Sequence, residues 1–527
     1  MLVLIFTFVV RKHFEDKDGA EPPALRLRGV CRQWRDTVNA AQGLWKIVPL
    51  QNVVIAQEFL SRCRNVPLRV NLRGHLDAVH TAARREALDL VLQRPQQIGT
   101  LSLIEVERND PVYGRAFDHL RSGAFSGLRA LEVLRSNGRL RDDIFPGPIP
   151  QHLNTLRFDL NGEGLLHLHR ALTLCPLTVL ELRQLDINAF AFSALMDALS
   201  RLPHLEELIM DVVGSREGVL PPRQADRSIV LAHLRIVECS AELPYLPLLL
   251  RAINISPAAK IILSCHNRSP STRPIHEMDF QDLTTLRPIL HAHFSVMPRD
   301  FRFTELAVEC KFDHNFTIVG ELALNGPQAS DGHDLPKRFI FQYRLRYTKD
   351  EDTVDRSRAI FPLLLDSVPI VGRVTQFSVK NSCMLTSQRF TDIFAAAPTI
   401  DTIVVDNIYA KHMFRSLRST YRLALLPNLR KLVLYKIRLN ERISYATGEK
   451  NDLDVKALSL LPYGWHTTVG DLLLLCLTCH GGRGCENWNV FLRKCSLLDD
   501  TLKVLGKHLP SRLFWDGEGN CPTPKLP

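Results

Sequence analysis

This sequence has no apolar run long enough to cross a membrane. The most conspicuous, MLVLIFTFVV at residues 1–10, is half the roughly 20 residues that a spanning helix needs. It is not patterned as a secretory leader either, because Arg11 and Lys12 follow the apolar residues instead of preceding them and no small-x-small cleavage signal comes after. Polybasic blocks are missing too. The net charge of +10 comes from 66 Lys and Arg against 56 Asp and Glu spread along 527 residues, with no aromatic-basic recognition motif, so neither nucleic acid nor membrane is expected as a partner. Cysteine is scattered, 12 in all, without a disulfide framework; reduced thiols and a cytoplasmic or nuclear location follow. On that expectation the sequons at Asn254, Asn267 and Asn315 carry no glycan.

Catalytic signatures are absent as well. The chain has no phosphate loop, no H-E-x-x-H, no G-x-S-x-G and no dinucleotide fingerprint after a strand. The nearest to chemistry is Cys476-Leu477-Thr478-Cys479-His480, with Cys485 and Cys495 behind it. It has the spacing of a haem attachment or of part of a zinc site. Adjacent residues on a helix point about 100° apart, which suits closure around one metal poorly, and the preceding DLLLLCL makes Cys476 a small buried hydrophobe. No enzyme, cofactor or metal is therefore expected.

What is present begins at LRLRGVCRQWRDTVNAAQGLWKIVPL, residues 25–50. Leu27, Val30, Cys31, Trp34 and Val38 fall on one helical stripe. Asn39 and Gly43 supply stop chemistry, and Leu44, Trp45 and Val48 can fold back on that stripe. Leu2, Ile5, Phe6 and Val9 predict a further helix that closes over the pair. A helical unit of about fifty residues buries little surface and should lean on a neighbour or a partner.

From residue 128 a pattern of apolar, x, x, apolar, x, apolar recurs: Leu128, Leu131, Val133; Leu153, Leu156, Phe158; Leu177, Leu180, Leu182; Leu205, Leu208, Met210; Leu231, Leu234, Ile236. It returns as Val374, Phe377, Val379; Ile400, Ile403, Val405; and Leu429, Leu432, Leu434. The spacing falls within the roughly 20 to 29 residues of leucine-rich repeats. Helical spacing at Phe192, Leu195, Met196, Leu199 and Leu202, with Asn188 before it, predicts a helix between strands. Pro176, Pro203, Pro398 and Pro427 sit where each helix must stop. Between about 257 and 370 the regularity fails; RFIFQYRLRY at 338–347 predicts a strand within a hairpin or irregular repeats.

At residues 2–50 the chain resembles an F-box, through LVLIFTFVV and then Val30, Cys31, Trp34, Arg35, Leu44 and Trp45. The C-terminal end is similar to that of the large F-box family of basidiomycete fungi, at Leu472 to Leu477, Gly484, Leu492 with Cys495, and Trp515-Asp516-Gly517. The family's Leu-Pro before the first helix has no counterpart here, so a truncated start or weakened adaptor binding is expected. The resemblance implies a substrate receptor of an SCF (Skp, cullin, F-box) ubiquitin ligase, with a Skp-type adaptor, through it a cullin, and a protein target as partners. It implies adaptor binding at Ile5, Phe6, Val30, Cys31, Trp34, Leu44 and Trp45. The expected fold is α/β: a small N-terminal F-box-like helical module at 1–50, a helical linker and first irregular repeats at 51–127, leucine-rich repeats at 128–256, irregular repeats or an insertion at 257–370, and C-terminal repeats with a cap at 371–527. Together the repeats would form an irregular leucine-rich-repeat solenoid. The alternatives are a leucine-rich-repeat scaffold with a degenerate F-box and no ligase role, and a secreted repeat protein or haem-bearing redox enzyme.

Overall fold

The computed structural model describes residues 1–16, 22–73, 81–105, 111–134, 144–145, 147–160, 168–187, 189–214, 228–242, 245–256, 259–267, 284–292, 302–312, 315–325, 338–346, 374–380, 387–406, 410–422, 426–439, 468–470, 473, 488–496, 499–509 and 511–516. The chain divides into two units, one of residues 1–241 and 248–256, the other of residues 242–247 and 257–527.

The first unit opens with helices α1 (Leu2–Asp16), α2 (Pro23–Val30) and α3 (Arg32–Ala40), a 3-10 turn at Gln42–Leu44, the short strand β1 (Ile47–Val48) and helix α4 (Val53–Arg62). Strands β2 (Leu68–Arg73), β3 (Ile98–Ile104), β4 (Ala130–Leu134), β5 (Thr155–Asp159), β6 (Val179–Ile187) and β7 (Glu207–Gly214) follow. Helices α5 (Thr81–Leu92), α6 (Pro111–Arg121), α7 (His169–Leu174) and α8 (Ala189–Leu199) lie between them in sequence. After β7 come β8 (Ile229–Leu231), β9 (Ile236–Ala241), helix α9 (Tyr245–Ala252) and β10 (Ile253–Ile255). Strands β1 to β7 and then β9 pair in chain order, each parallel to the last. Strands β8 and β10 make a separate parallel pair.

The predicted strand positions coincide with the register of this sheet. Leu131, Leu156, Leu180, Leu208 and Val237 stand side by side across β4 to β9, as do Val133, Phe158, Leu182, Met210 and Cys239 two residues on. All ten are buried. Each such aliphatic contributes roughly 1.5–3 kcal/mol by leaving water, and period-two alternation puts them on one face. The fifth unit of the pattern is displaced: Leu234, Val237 and Cys239 occupy the places expected of Leu231, Leu234 and Ile236, since β9 pairs Val237 with Leu208. Leu231 belongs to β8 instead. In α8, Phe192, Leu195 and Leu199 are buried as their spacing predicts, whereas Asn188 lies outside the described residues. The four prolines each fall in the turn before a strand.

The opposite face of β2 to β6 is polar and ordered. Glu132 accepts from the Ser102 hydroxyl at 2.5 Å and lies 3.2 Å from the Arg157 Nη1 and 3.9 Å from the Arg69 Nη2. Arg157 Nε is 3.2 Å from Glu181, which also meets Arg183 at 2.5 Å. Parallel register creates this row, because Ser102, Glu132, Arg157 and Glu181 are direct neighbours on successive strands.

The second unit contains β11 (Lys260–Asn267), β12 (Arg302–Phe312), β13 (Asn315–Asn325), β14 (Arg338–Arg346), β15 (Gln376–Lys380), β16 (Thr402–Asp406), β17 (Lys431–Tyr435), β18 (Asn489–Arg493) and β19 (Leu513–Trp515), with helices α10 (Ser387–Ala396), α11 (Ala410–Arg422) and α12 (Asp499–His508). Its strands run β11, β14, β13, β12, β15, β16, β17, β18, β19, parallel except where β13 lies antiparallel to β14 and to β12. The expected strand at 338–347 is β14. Phe377, Ile403, Leu432 and Val490 align across β15 to β18, all buried.

The mixed α/β character therefore stands, but the irregular leucine-rich-repeat solenoid does not. The described residues build wide, mainly parallel sheets, eight strands in the first unit and nine in the second. A solenoid requires one unit of near-constant geometry, whereas these strands vary from two residues in β1 to eleven in β12. Register shifts interrupt β2–β3 and β6–β7. An antiparallel pair of eleven-residue strands, β12 and β13, is inserted into the second sheet. The stretches NGPQASDGHDLPK beyond Asn325, KDEDTVD and Cys476 to Cys485 lie outside the described residues.

Candidate adaptor-docking surface

The N-terminal module is held together around two aromatic contacts. Trp45, fully buried, donates its indole N–H to the Val38 carbonyl at 2.8 Å, which locks the turn after α3 back onto α3. Its ring meets Phe59 of α4 edge-on, centroids 4.9 Å apart, in the arrangement that the ring quadrupoles favour. Phe6 of α1 tilts against Trp34 of α3 at 4.8 Å. The small unit thus leans on α4, as its size requires.

Charges tighten the same joint. Glu58 of α4 bonds Arg62 at 2.7 Å and Arg28 of α2 at 3.0 Å, and Arg62 reaches Asn39 of α3 at 2.9 Å. Both guanidiniums lie over the Trp45 ring, Arg62 at 4.8 Å and Arg28 at 5.6 Å. The hydrogen bond from Arg62, assisted by the positive charges of Arg62 and Arg28 and opposed by partial burial, holds the Glu58 carboxyl below its ordinary value of 4.5. A depressed folded pKa means that this stabilisation is fully present above about pH 4.5 and fades as the pH falls through the folded value. Amide protection factors in α2 and α4, taken relative to the intrinsic exchange rate at each pH, are expected to fall on acidification below that point in the wild type, and Glu58→Gln should remove this portion of the response.

Helix α4 starts where the sequence provides a cap. Asn52 accepts from the Val54 and Ile55 amides at 2.8 and 3.3 Å, filling two of the donors that a helix start leaves open. Asn52→Ala should cost about 1 kcal/mol, read as a lower denaturation midpoint, with Asn52→Asp close to wild type.

The seven residues that the sequence singles out separate into two groups. Phe6, Leu44 and Trp45 are enclosed within the module, so their side chains present no outer surface; Trp34 is half-buried against Phe6. Ile5, Val30 and Cys31 are exposed. The single stripe from Leu27 to Val38 is cut, because Cys31 is extended (φ −158°, ψ 171°) between α2 and α3. The break is stabilised by Arg35, whose Nε donates to the Arg28 carbonyl at 3.2 Å. In α1 the inward row is Leu2, Phe6 and Val10, and not Leu2, Ile5, Phe6 and Val9: Phe6 and Val10 are buried while Ile5 and Val9 face out.

What sequence reasoning missed is the outer face of α1. Leu4 is 75% exposed and Phe8 67%, with Met1, Val3, Ile5 and Val9 around them. Isolated apolar side chains on a surface are ordinary, but five within the first eight residues of one helix, with Met1 just before it, make a concentration of the kind that marks an interaction site. The signal was available, since eight of the first ten residues other than Met1 and Thr7 are aliphatic or aromatic, more than one helical face can bury.

Cys63, Cys175, Cys239 and Cys495 are buried. Burial pushes the thiol of Cys175 up to about 11 and that of Cys239, beside Asp211, up to about 12. Thiols so disposed stay protonated and unreactive at neutral pH. No helix of the described residues is long and apolar enough to cross a membrane. Comparison with known proteins yields no matching family model and no matching curated protein.

Proposed function

We propose that this chain is the substrate receptor of an SCF-type ubiquitin ligase, docking on a Skp-type adaptor through its N-terminal module and presenting a protein target that it holds elsewhere. The reading rests on the resemblance of residues 2–50 to the F-box, and the observation that carries it is the exposed apolar face of α1 around Leu4 and Phe8. A face that apolar is costly to leave in water. In a cytoplasmic or nuclear receptor the adaptor covers it. The chain's contribution is positional: it raises the effective concentration of target beside a ubiquitin-loaded enzyme carried by the cullin.

The enclosure of Phe6, Leu44 and Trp45 favours a second reading, an interaction scaffold with a degenerate F-box in which motif residues serve only the module's own core. The two readings part on one experiment. Co-precipitation of a purified fungal Skp adaptor with the full chain should succeed with wild type and fall at least tenfold with Leu4→Glu or Phe8→Glu. Both positions are exposed, so these changes should leave stability within about 0.5 kcal/mol. Wild-type chain that folds and captures no adaptor sinks the receptor and leaves the scaffold.

A further inference from the structure

At the C-terminal end of the second unit's sheet, the face opposite the buried Leu432, Leu434, Val490 and Leu492 is aromatic and basic. Phe491 of β18 and Phe514 of β19 are register partners, stacked with centroids 4.6 Å apart and planes 11° from parallel. Phe514 is 46% exposed. From the other neighbouring strand, β17, the Lys431 ammonium lies 5.1 Å from the Phe491 centroid. Tyr435 and Arg493 are register partners one row along, with the Lys436 ammonium 5.0 Å from the Tyr435 centroid. Val404 and Val433 continue the Phe491 row inward.

The cations of this face differ from those of the first unit. On the first unit's polar face Arg69, Arg157 and Arg183 each meet a carboxylate. Lys431 and Arg493 are exposed, and among the described residues neither makes an ion pair. Two acids stand near: Asp516, which follows the Leu492 partner Trp515 and accepts from the Lys494 amide at 2.9 Å, and Asp406, in the Arg493 row two strands away. An apolar strip flanked by such cations complements a ligand that carries carboxylates on either side of an apolar side chain.

We infer that this face docks an extended, acidic protein segment, with an aromatic or aliphatic side chain against Phe514 and carboxylates on Lys431 and Arg493. A single-stranded nucleic acid fits less well. Binding of that kind needs successive open rings on which bases stack, whereas Phe491 is already flanked by Lys431 and Phe514 and the Tyr435 ring carries Lys436. As an account of target capture the inference rests on the receptor reading; as a binding site it does not.

The test uses the full chain and three fluorescein-labelled probes in fluorescence anisotropy: a twelve-residue peptide alternating Glu with Phe and Leu, the same peptide with Lys for Glu, and a twelve-nucleotide oligothymidylate. The acidic peptide should bind, weaken as salt is raised, and lose at least tenfold in affinity with Lys431→Glu/Arg493→Glu and with Phe514→Ser, while Arg201→Glu in the first unit leaves it unchanged. No binding of the acidic peptide, equal binding of the Lys peptide, preference for the oligonucleotide, or equal loss with Arg201→Glu each overturns the inference. Adaptor capture measured on the same samples separates the two claims. A chain that binds adaptor but not peptide contradicts only the docking face; one that binds peptide but not adaptor keeps the face and contradicts the receptor.

Discussion

Replacing Trp45 by alanine should lower the local stability of the N-terminal module by about 3–5 kcal/mol. The side chain is fully buried, and its removal strips several contacts at once: the hydrogen bond to the Val38 carbonyl, the edge contact with Phe59 and the ring beneath Arg28 and Arg62. Phe59, itself buried, would be left beside a cavity, and the arginines would lose a surface against which their charge is partly balanced. A module this small has few other contacts over which to spread the loss. Hydrogen exchange is the suitable measurement because it reads amides of α2 to α4 separately from the sheets. Opening should become more than about a hundredfold easier, given that 1.4 kcal/mol is a factor of ten. Trp45→Phe keeps much of the packing and forfeits the indole bond, so it should fall between the two. An acceleration of less than tenfold for the alanine variant would show that the module does not depend on this residue.

The second large effect lies in the first unit's sheet. Arg157→Ala should destabilise the chain by about 2–3 kcal/mol, below the 3–5 of a fully broken buried pair. Glu132 and Glu181 retain 11% and 4% side-chain exposure, so their charges are largely out of water. Arg157 stands between them, 3.2 Å from each. The loss is tempered by second partners, Ser102 and Arg69 for Glu132 and Arg183 for Glu181. Adding Glu132→Gln to the alanine variant separates the lost arginine from the orphaned carboxylate. Taking away one of the orphaned charges should recover part of the stability, because the penalty is the unpaired carboxylate and not the missing arginine. Urea denaturation reads both variants; a double variant no more stable than Arg157→Ala would contradict this reading.

The strand positions were legible where a local rule repeats. Leu131, Leu156, Leu180 and Leu208 follow the same pattern and fall in one buried row. The pattern slipped at Leu231 because Leu234 also fits it, and only cross-strand pairing chooses Val237 as the neighbour of Leu208. Sheet breadth was not legible, since an inserted antiparallel β12–β13 pair leaves no mark in a count of leucines, and that is why the solenoid expectation failed. In the module, helix spacing identified the apolar residues but not their partners. Whether Ile5 or Val10 faces inward depends on where α2 and α3 lie, and those are set apart by the extended Cys31. The joint between Trp45 and Phe59 spans separate elements and has no local signature.

The outer face of α1 is the surface on which we propose that the adaptor docks. Side-chain footprinting of the full chain, with and without purified fungal Skp adaptor, tests it directly. Protection at Leu4 and Phe8, with the exposed Leu174 and Val230 of the sheet-bearing region labelled equally in both samples, is the predicted result. Equal labelling of Leu4 and Phe8 at saturating adaptor would contradict it.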